Sequence, residues 1–370
     1  SEYKTTPEQN LISFKAWESP KGLIDKATIL RCASFKNGKR TSKVYSKTFF
    51  VDSNIFEKYT VPVISLITEN RNFFDVNTGI YIPGIHYDSL DPEWTGNYFM
   101  RGDNWEKDIH IEYFENDGNK AFSQDAGARI HGGKTRHAAQ KSMRLYARND
   151  YGEKYFNYKI FPQKQVSKYK RLILRTTMGS WDAPAIIKDV LAHDISRGLN
   201  IEYQDFQPVI VYLNGEYWGI QTIRDRIDER YLEYTHNIDS DFTEFQEEGN
   251  TDFENLLEFI KNNDLSNNDN YEFIKTQIDI DNYIDYTVAE HFFANYDWPA
   301  NNTKIWRELP DGKWRWVFYD LDAGFGEVDY DMLTHSTKND STIWWPNSPS
   351  STFLFRNLLK NKEFENRLIN

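Results

Sequence analysis

Apolar and polar positions change their period near residue 226 of this chain. Before it they come in short alternating runs; after it they recur at helical spacing. Ala27–Ala33 and Ser46–Val51 read as strands joined by the polar turn Lys36-Asn37-Gly38-Lys39. Two strands do not make an independent domain, so residues 1–52 read as the tail of a small β module. Val61–Thr68, rich in β-branched residues, and Ile109–Phe114, followed by an Asp117-Gly118 turn, predict further strands, and Leu172–Arg175 a short one. Asp182 stands where it would cap a helix, with Pro184 in the first turn and Gly198 past the end. Ile187, Val190, Leu191 and Ile195 share one face of that helix, which predicts that this face meets the core. Val209–Leu213 and Tyr217–Ile223 flank Asn214-Gly215, the strongest short hairpin signal.

From Ile227 to about Asn295 the pattern is helical and acidic, with polar loops near Glu247–Asn250 and Leu265–Asn270. Tyr283, Ile284, Tyr286, Val288, Phe292 and Phe293 predict an apolar helix that ends at Asp297. Lys304–Leu309 and Lys313–Tyr319 flank a Pro-Asp-Gly turn and predict a second hairpin, with Asp320 at its end. Phe353–Leu359 and Phe364–Ile369 read as helix faces. Without a capping glycine or proline at Asn370, further helical residues are expected beyond it. The order predicts an α+β fold of two lobes, β-rich over about 60–226 and helical over about 227–370.

Composition narrows the function only slightly. A net charge of −12 argues against a general nucleic-acid binder, which needs a basic footprint. Aromatic residues, 16% of the chain, suit a core, a peptide groove or a carbohydrate groove alike. The single cysteine, Cys32, excludes an intramolecular disulfide, which fits a cytosolic chain and an exported bacterial one equally. No stretch approaches the roughly 18 apolar residues of a membrane span. The chain opens Ser-Glu-Tyr-Lys, without a charged-then-apolar leader. The eight histidines offer no H-E-x-x-H motif, which argues against zinc, and His131, His137 and His291 read as structural or surface residues.

The chemistry concentrates in Asp297–Gly326. Asp297, Asn302 five residues on, a hairpin and then Asp320 repeat the order in which protein kinases assemble a base and magnesium ligands. Asp297 is the candidate for orienting an alcohol, against the alternative of a turn aspartate. Asn302 offers a neutral oxygen ligand. Asp320 and Asp322, two apart, would share a face if the strand continued, and could hold magnesium or manganese. Gly127–Arg148 is the one strongly basic stretch. Lys141 is its candidate phosphate contact, with Arg129 and Arg144 as helpers, although the Gly127/Gly132/Gly133 spacing does not match a kinase glycine loop. Asp225 is read as serving either a nucleotide or a lysine, with a surface ion pair as the alternative.

With these residues assembled, the chain resembles the spore coat protein H (CotH) family of atypical secretory kinases over about residues 60–370. The matching stretches are Gly-Ala-Arg-Ile-His-Gly-Gly-Lys-Thr-Arg (127–136), Lys-Ser-Met-Arg-Leu-Tyr-Ala-Arg (141–148) and Val-Tyr-Leu-Asn-Gly-Glu-Tyr-Trp-Gly-Ile (211–220). Further on they are Ile-Arg-Asp-Arg-Ile-Asp (223–228), Phe-Phe-Ala-Asn-Tyr-Asp-Trp-Pro (292–299) and Trp-Arg-Trp-Val-Phe-Tyr-Asp-Leu-Asp-Ala-Gly-Phe-Gly (314–326). The resemblance implies a divergent kinase-like fold, ATP with magnesium or manganese, and transfer to protein Ser or Thr outside the cytoplasm. It implies Lys141 on the ATP phosphates, Asp297 as catalytic aspartate, and Asn302 and Asp320 as metal ligands with Asp322 as a second carboxylate. Two positions depart from the family: Arg-Ile-His-Gly-Gly-Lys-Thr replaces the common Arg-Gly-Asn-Ser-Ser, and Asp225 stands where glutamate is common. A non-catalytic surface scaffold and a glycoside hydrolase are the other readings.

Overall fold

The computed structural model describes residues 22–51, 54–176, 187–246 and 251–370. The chain forms two compact units, one of Ser1–Gly179 with Phe206–Arg226, the other of Ser180–Asp205 with Ile227–Asn370. The α+β class is observed. Asp182, Pro184 and the Glu247–Asn250 loop lie outside the described residues.

In the first unit, β1 (Thr28–Cys32) pairs antiparallel with β4 (Tyr45–Phe49). Between them β2 (Phe35–Lys36) and β3 (Lys39–Arg40) form a hairpin whose Asn37 and Gly38 have positive φ, as its two-residue turn demands. Helix α1 (Ile55–Lys58) precedes β5 (Val63–Ile67), and α2 (Asn70–Phe74) follows it. With β6 (Lys107–Phe114), β7 (Lys120–Ile130), β8 (Met143–Tyr146), β11 (Arg171–Arg175), β12 (Phe206–Leu213) and β13 (Glu216–Asp225), β5 closes a seven-stranded barrel in the order β11-β13-β12-β5-β6-β7-β8. The two-residue strands β9 (Phe156–Asn157) and β10 (Lys168–Tyr169) pair with each other.

Register explains the alternation. Ala128 faces Leu145, Leu145 faces Leu172, Leu174 faces Ile223, and Val211 faces Ile64. All are buried, and a barrel this small fills its interior with such side chains. The intervening positions point the other way, so Arg129, Arg144, Ile173 and Arg224 stand in one row across four strands. Gly127 has a specific reason to lack a side chain. A Cβ there would lie 2.5 Å from Oε1 of Glu106, the carboxylate that accepts from Arg129, Arg148 and Tyr151.

The second unit packs helices around the three-stranded sheet β14 (Thr243–Phe245), β15 (Lys304–Glu308) and β16 (Arg315–Val317). They are α3 (Lys188–Ile195), α4 (Glu229–Thr235), α5 (Thr251–Asn262), α6 (Asn268–Gln277), α7 (Ile280–Phe292), α8 (Met332–Ser336), α9 (Phe353–Leu358) and α10 (Lys362–Ile369). Side chains of Asp228, Asn267, Asp279 and Asn361 cap α4, α6, α7 and α10 by accepting from backbone N–H groups of the first turn. Trp314, Trp316, Phe318, Tyr283, Tyr286, Phe293, Phe355 and Phe364 form the core. Buried Asn282 ties α7 to β16, accepting from Trp316 N–H at 2.6 Å and donating to Asn200 and Trp316 carbonyls.

Three sequence expectations are corrected here. Helix α7 ends at Phe292, five residues before Asp297, and leaves Val288 and Phe292 exposed. Strand β16 ends at Val317, and Leu321–Ala323 is a single 3₁₀ turn, so no continued strand carries Asp320 and Asp322. Helix α3 buries Asp189, Val190, Ala192 and His193, while Ile187 and Ile195 are 60% and 52% exposed and Leu191 is exposed too.

Candidate functional site

The loop bearing Asp297 begins where α7 unwinds. Phe293 caps the helix, Ala294 turns through φ 49°, and the Asn295 N–H returns to the Glu290 carbonyl. Backbone bonds from Tyr296 to Ala323 and from Phe325 to Phe293 tie this loop to the segment after β16. His335 Nε2 donates to the Trp298 carbonyl at 2.6 Å, and Ala300 N–H donates to Pro346. Ala294, Asn302, Asp320 and Phe325, all non-glycine, have positive φ within this short stretch. Each such conformation costs on the order of 1–3 kcal/mol, least for Asn and Asp, and such strain gathers where function over-determines the backbone.

Asp297 is half-buried and accepts from Asn301 Nδ2 at 3.3 Å. Burial raises its carboxyl above the ordinary range, and the Asp320 charge adds to that. Asn302 Nδ2 donates to the Asp320 main-chain carbonyl at 3.2 Å, which leaves its amide oxygen as the end able to meet a cation. Asp189, Asp320 and Asp322 each bring a carboxylate oxygen to within 4.8 Å of the others. Asp189 comes from the buried face of α3, and its Oδ1 accepts from the Leu321 N–H at 2.6 Å. Three hard oxygen donors at this spacing suit magnesium or manganese.

Three residues here escaped the sequence reading. Asp189 and His193, one turn apart, form a polar stripe on α3, and an i,i+4 acid–histidine pair was its only signal. Glu290 is fully buried in α7, with Oε2 accepting from Asn295 Nδ2 at 2.8 Å and Oε1 without a partner among the described residues. Burial, opposed by the bond from Asn295 and aided by the Asp320 charge, pushes its carboxyl up to about 8.

The basic residues of the first unit divide. Lys141 is fully buried; its ammonium donates to the Arg136 and Ala138 carbonyls, both at 2.8 Å, and lies 4.0 Å from the Tyr98 ring centre. Burial holds it well below the usual lysine range. Arg129 is paired with Asp103 and Glu106. Arg144 donates from Nε to His131 Nδ1 at 2.9 Å. Burial and then the charges of Arg144, Arg175, Arg226 and Arg136 push the His131 ring well below its ordinary range. Asp225, far from forming a surface ion pair, is buried against Lys164.

A search of curated proteins finds no match. Residues 128–370, more than half of the chain, match the family model described as CotH kinase protein, so the chain belongs to the CotH family that its motifs resemble.

Proposed function

We propose that this protein is an ATP-dependent kinase that transfers a phosphoryl group to Ser or Thr of an extracytoplasmic or cell-surface protein. The observation that supports this reading most is the convergence of Asp189, Asp320 and Asp322, with Asn302 bonded to the Asp320 backbone and the Asp320 charge acting on Asp297. Magnesium or manganese would be held by Asp320 and Asp322, with Asn302 as a neutral ligand. Such an ion neutralises the phosphate charge of ATP. Asp297 would orient the acceptor hydroxyl, a role that a carboxylate fills without a matched pKa, because the phosphoryl-transfer transition state is loose.

Within the first unit, Arg144 with its surrounding arginines has the charge density that suits a phosphate. Lys141 already spends two N–H donors on carbonyls. Exposed Trp344 and Trp345, with Tyr296 5.8 Å from Trp345 and 5.6 Å from Tyr330, form the aromatic surface we assign to the protein substrate. A glycoside hydrolase would need two carboxyls opposed across about 5–10 Å rather than clustered.

The test is calorimetry of ATP binding with manganese, comparing the protein with Asp320→Ala and Asp297→Asn. Metal-dependent binding should vanish in Asp320→Ala and survive in Asp297→Asn, which should lose only the transfer. Absence of binding by the unsubstituted protein would favour the scaffold reading.

A further inference from the structure

We propose that Asp189 and Asn302 are positioning residues that clamp the two ends of a single peptide group and thereby aim the Asp320 carboxylate. The clamp itself is a matter of geometry; its consequence for catalysis rests on the kinase reading above.

The peptide group between Asp320 and Leu321 comprises the carbonyl of one and the N–H of the other. Its carbonyl accepts from Asn302 Nδ2 at 3.2 Å, and its N–H donates to Asp189 Oδ1 at 2.6 Å. The two bonds come from residues far apart in sequence, Asn302 18 positions before Asp320 and Asp189 132 positions before Leu321. Asp320 sits at φ 64°, ψ 58°, a conformation an aspartate leaves readily unless its neighbours hold it. Leaving it requires the following peptide plane to rotate, and rotation here breaks both bonds together.

The supports are themselves fixed. Asp189 is 4% exposed on a helix whose apolar Ile187, Leu191 and Ile195 face out. Burying a carboxylate in place of an available isoleucine is costly, so the polar face is turned inward for the bond it makes. His193, one turn along α3, is fully buried and lies edge-on to Phe318, 5.6 Å between ring centres and two residues before Asp320. Asn302 holds its own left-handed geometry at φ 57°. Helix, loop and hairpin end therefore meet on one peptide plane.

Asp189 could instead act by charge, as a direct ligand of the cation, and the two roles separate in Asp189→Asn. That variant keeps an acceptor oxygen and loses the charge. Two quantities are read in the intact protein, Asp189→Asn, Asp189→Ala and Asn302→Ala: amide hydrogen exchange at Leu321, and manganese affinity by calorimetry. Asp189→Asn should keep Leu321 protected and bind manganese at least several-fold more tightly than Asp189→Ala, because it keeps the acceptor that holds the Leu321 N–H. Asp189→Ala and Asn302→Ala should speed exchange at Leu321, and Asp189→Ala should weaken manganese by about tenfold or more, the usual effect of losing a residue that orients a ligand. Unchanged protection in Asp189→Ala overturns the clamp. Manganese affinity lost equally in Asp189→Asn and Asp189→Ala, with Leu321 still protected in Asp189→Asn, overturns the positioning role in favour of direct ligation. If the parent binds no manganese, the kinase reading fails while exchange at Leu321 still decides the clamp.

Discussion

A lysine ammonium taken out of water keeps its charge only where dipoles replace the lost hydration. Lys141 finds two carbonyls and the face of Tyr98, and no carboxylate among those contacts. It therefore carries a structural load whatever it does with phosphate. Lys141→Met fills the same space but strands both carbonyls, and should lower stability by about 1–3 kcal/mol. Urea unfolding without nucleotide measures this; an unchanged midpoint would leave phosphate binding as the reason for the residue. Glu290 poses the opposite problem, an acid buried at the end of α7. Its folded value of about 8 lies above the ordinary 4.5, so the native state keeps the proton between those values and the unfolded chain releases it. The stability contributed by the protonated form is full below about 4.5 and is lost as pH rises to about 8. Glu290→Gln has no proton to lose. Its stability relative to the parent should rise across that window, by on the order of a few kcal/mol, in chemical unfolding with a chelator present.

Among the elements, α3 departs most from its pattern. Periodicity placed Ile187, Val190, Leu191 and Ile195 toward the core, yet of these only Val190 is buried. The helix is rotated so that Asp189 reaches Leu321 and His193 reaches Phe318. Hydrophobic spacing reports the average demand of burial, and one strong hydrogen bond to a buried amide can outweigh it. Leu191→Gln should therefore change stability by no more than about 0.5 kcal/mol, as an exposed position does. Val190→Ala, from the same helix, should cost about 1–3 kcal/mol. Denaturant midpoints of the two variants decide it, and a large loss in Leu191→Gln would mean that its face is covered. The glycines of the basic stretch make a similar point. Gly127 opens the basic stretch, and the space it leaves admits the Glu106 carboxylate that organises Arg129 and Arg148.

For the whole molecule, a net charge of −12 and three convergent carboxylates favour a cation when one is offered. An ion that binds only the folded state stabilises it by mass action, about 2.7 kcal/mol at a hundred times the dissociation constant. Manganese added to chelator-treated protein should raise the unfolding temperature, and Asp320→Ala should abolish the shift. A shift that persists in the variant would place the ion elsewhere.

Period and turn chemistry by themselves determined the α+β class, the Asn214-Gly215 hairpin, the strand pair around Pro310-Asp311-Gly312 and the order of Asp297, Asn302 and Asp320. Those features depend on interactions within a few residues, which a linear pattern records. Only the tertiary structure decided that Asp189 lies against Leu321, 132 residues away, that Asp225 meets Lys164 inside the barrel unit, and that the Lys141 ammonium points at carbonyls. Such pairings follow from how barrel register and helix rotation settle once the cores close. Each is a compromise between apolar burial and the need to satisfy every buried polar group, and no local period encodes that compromise.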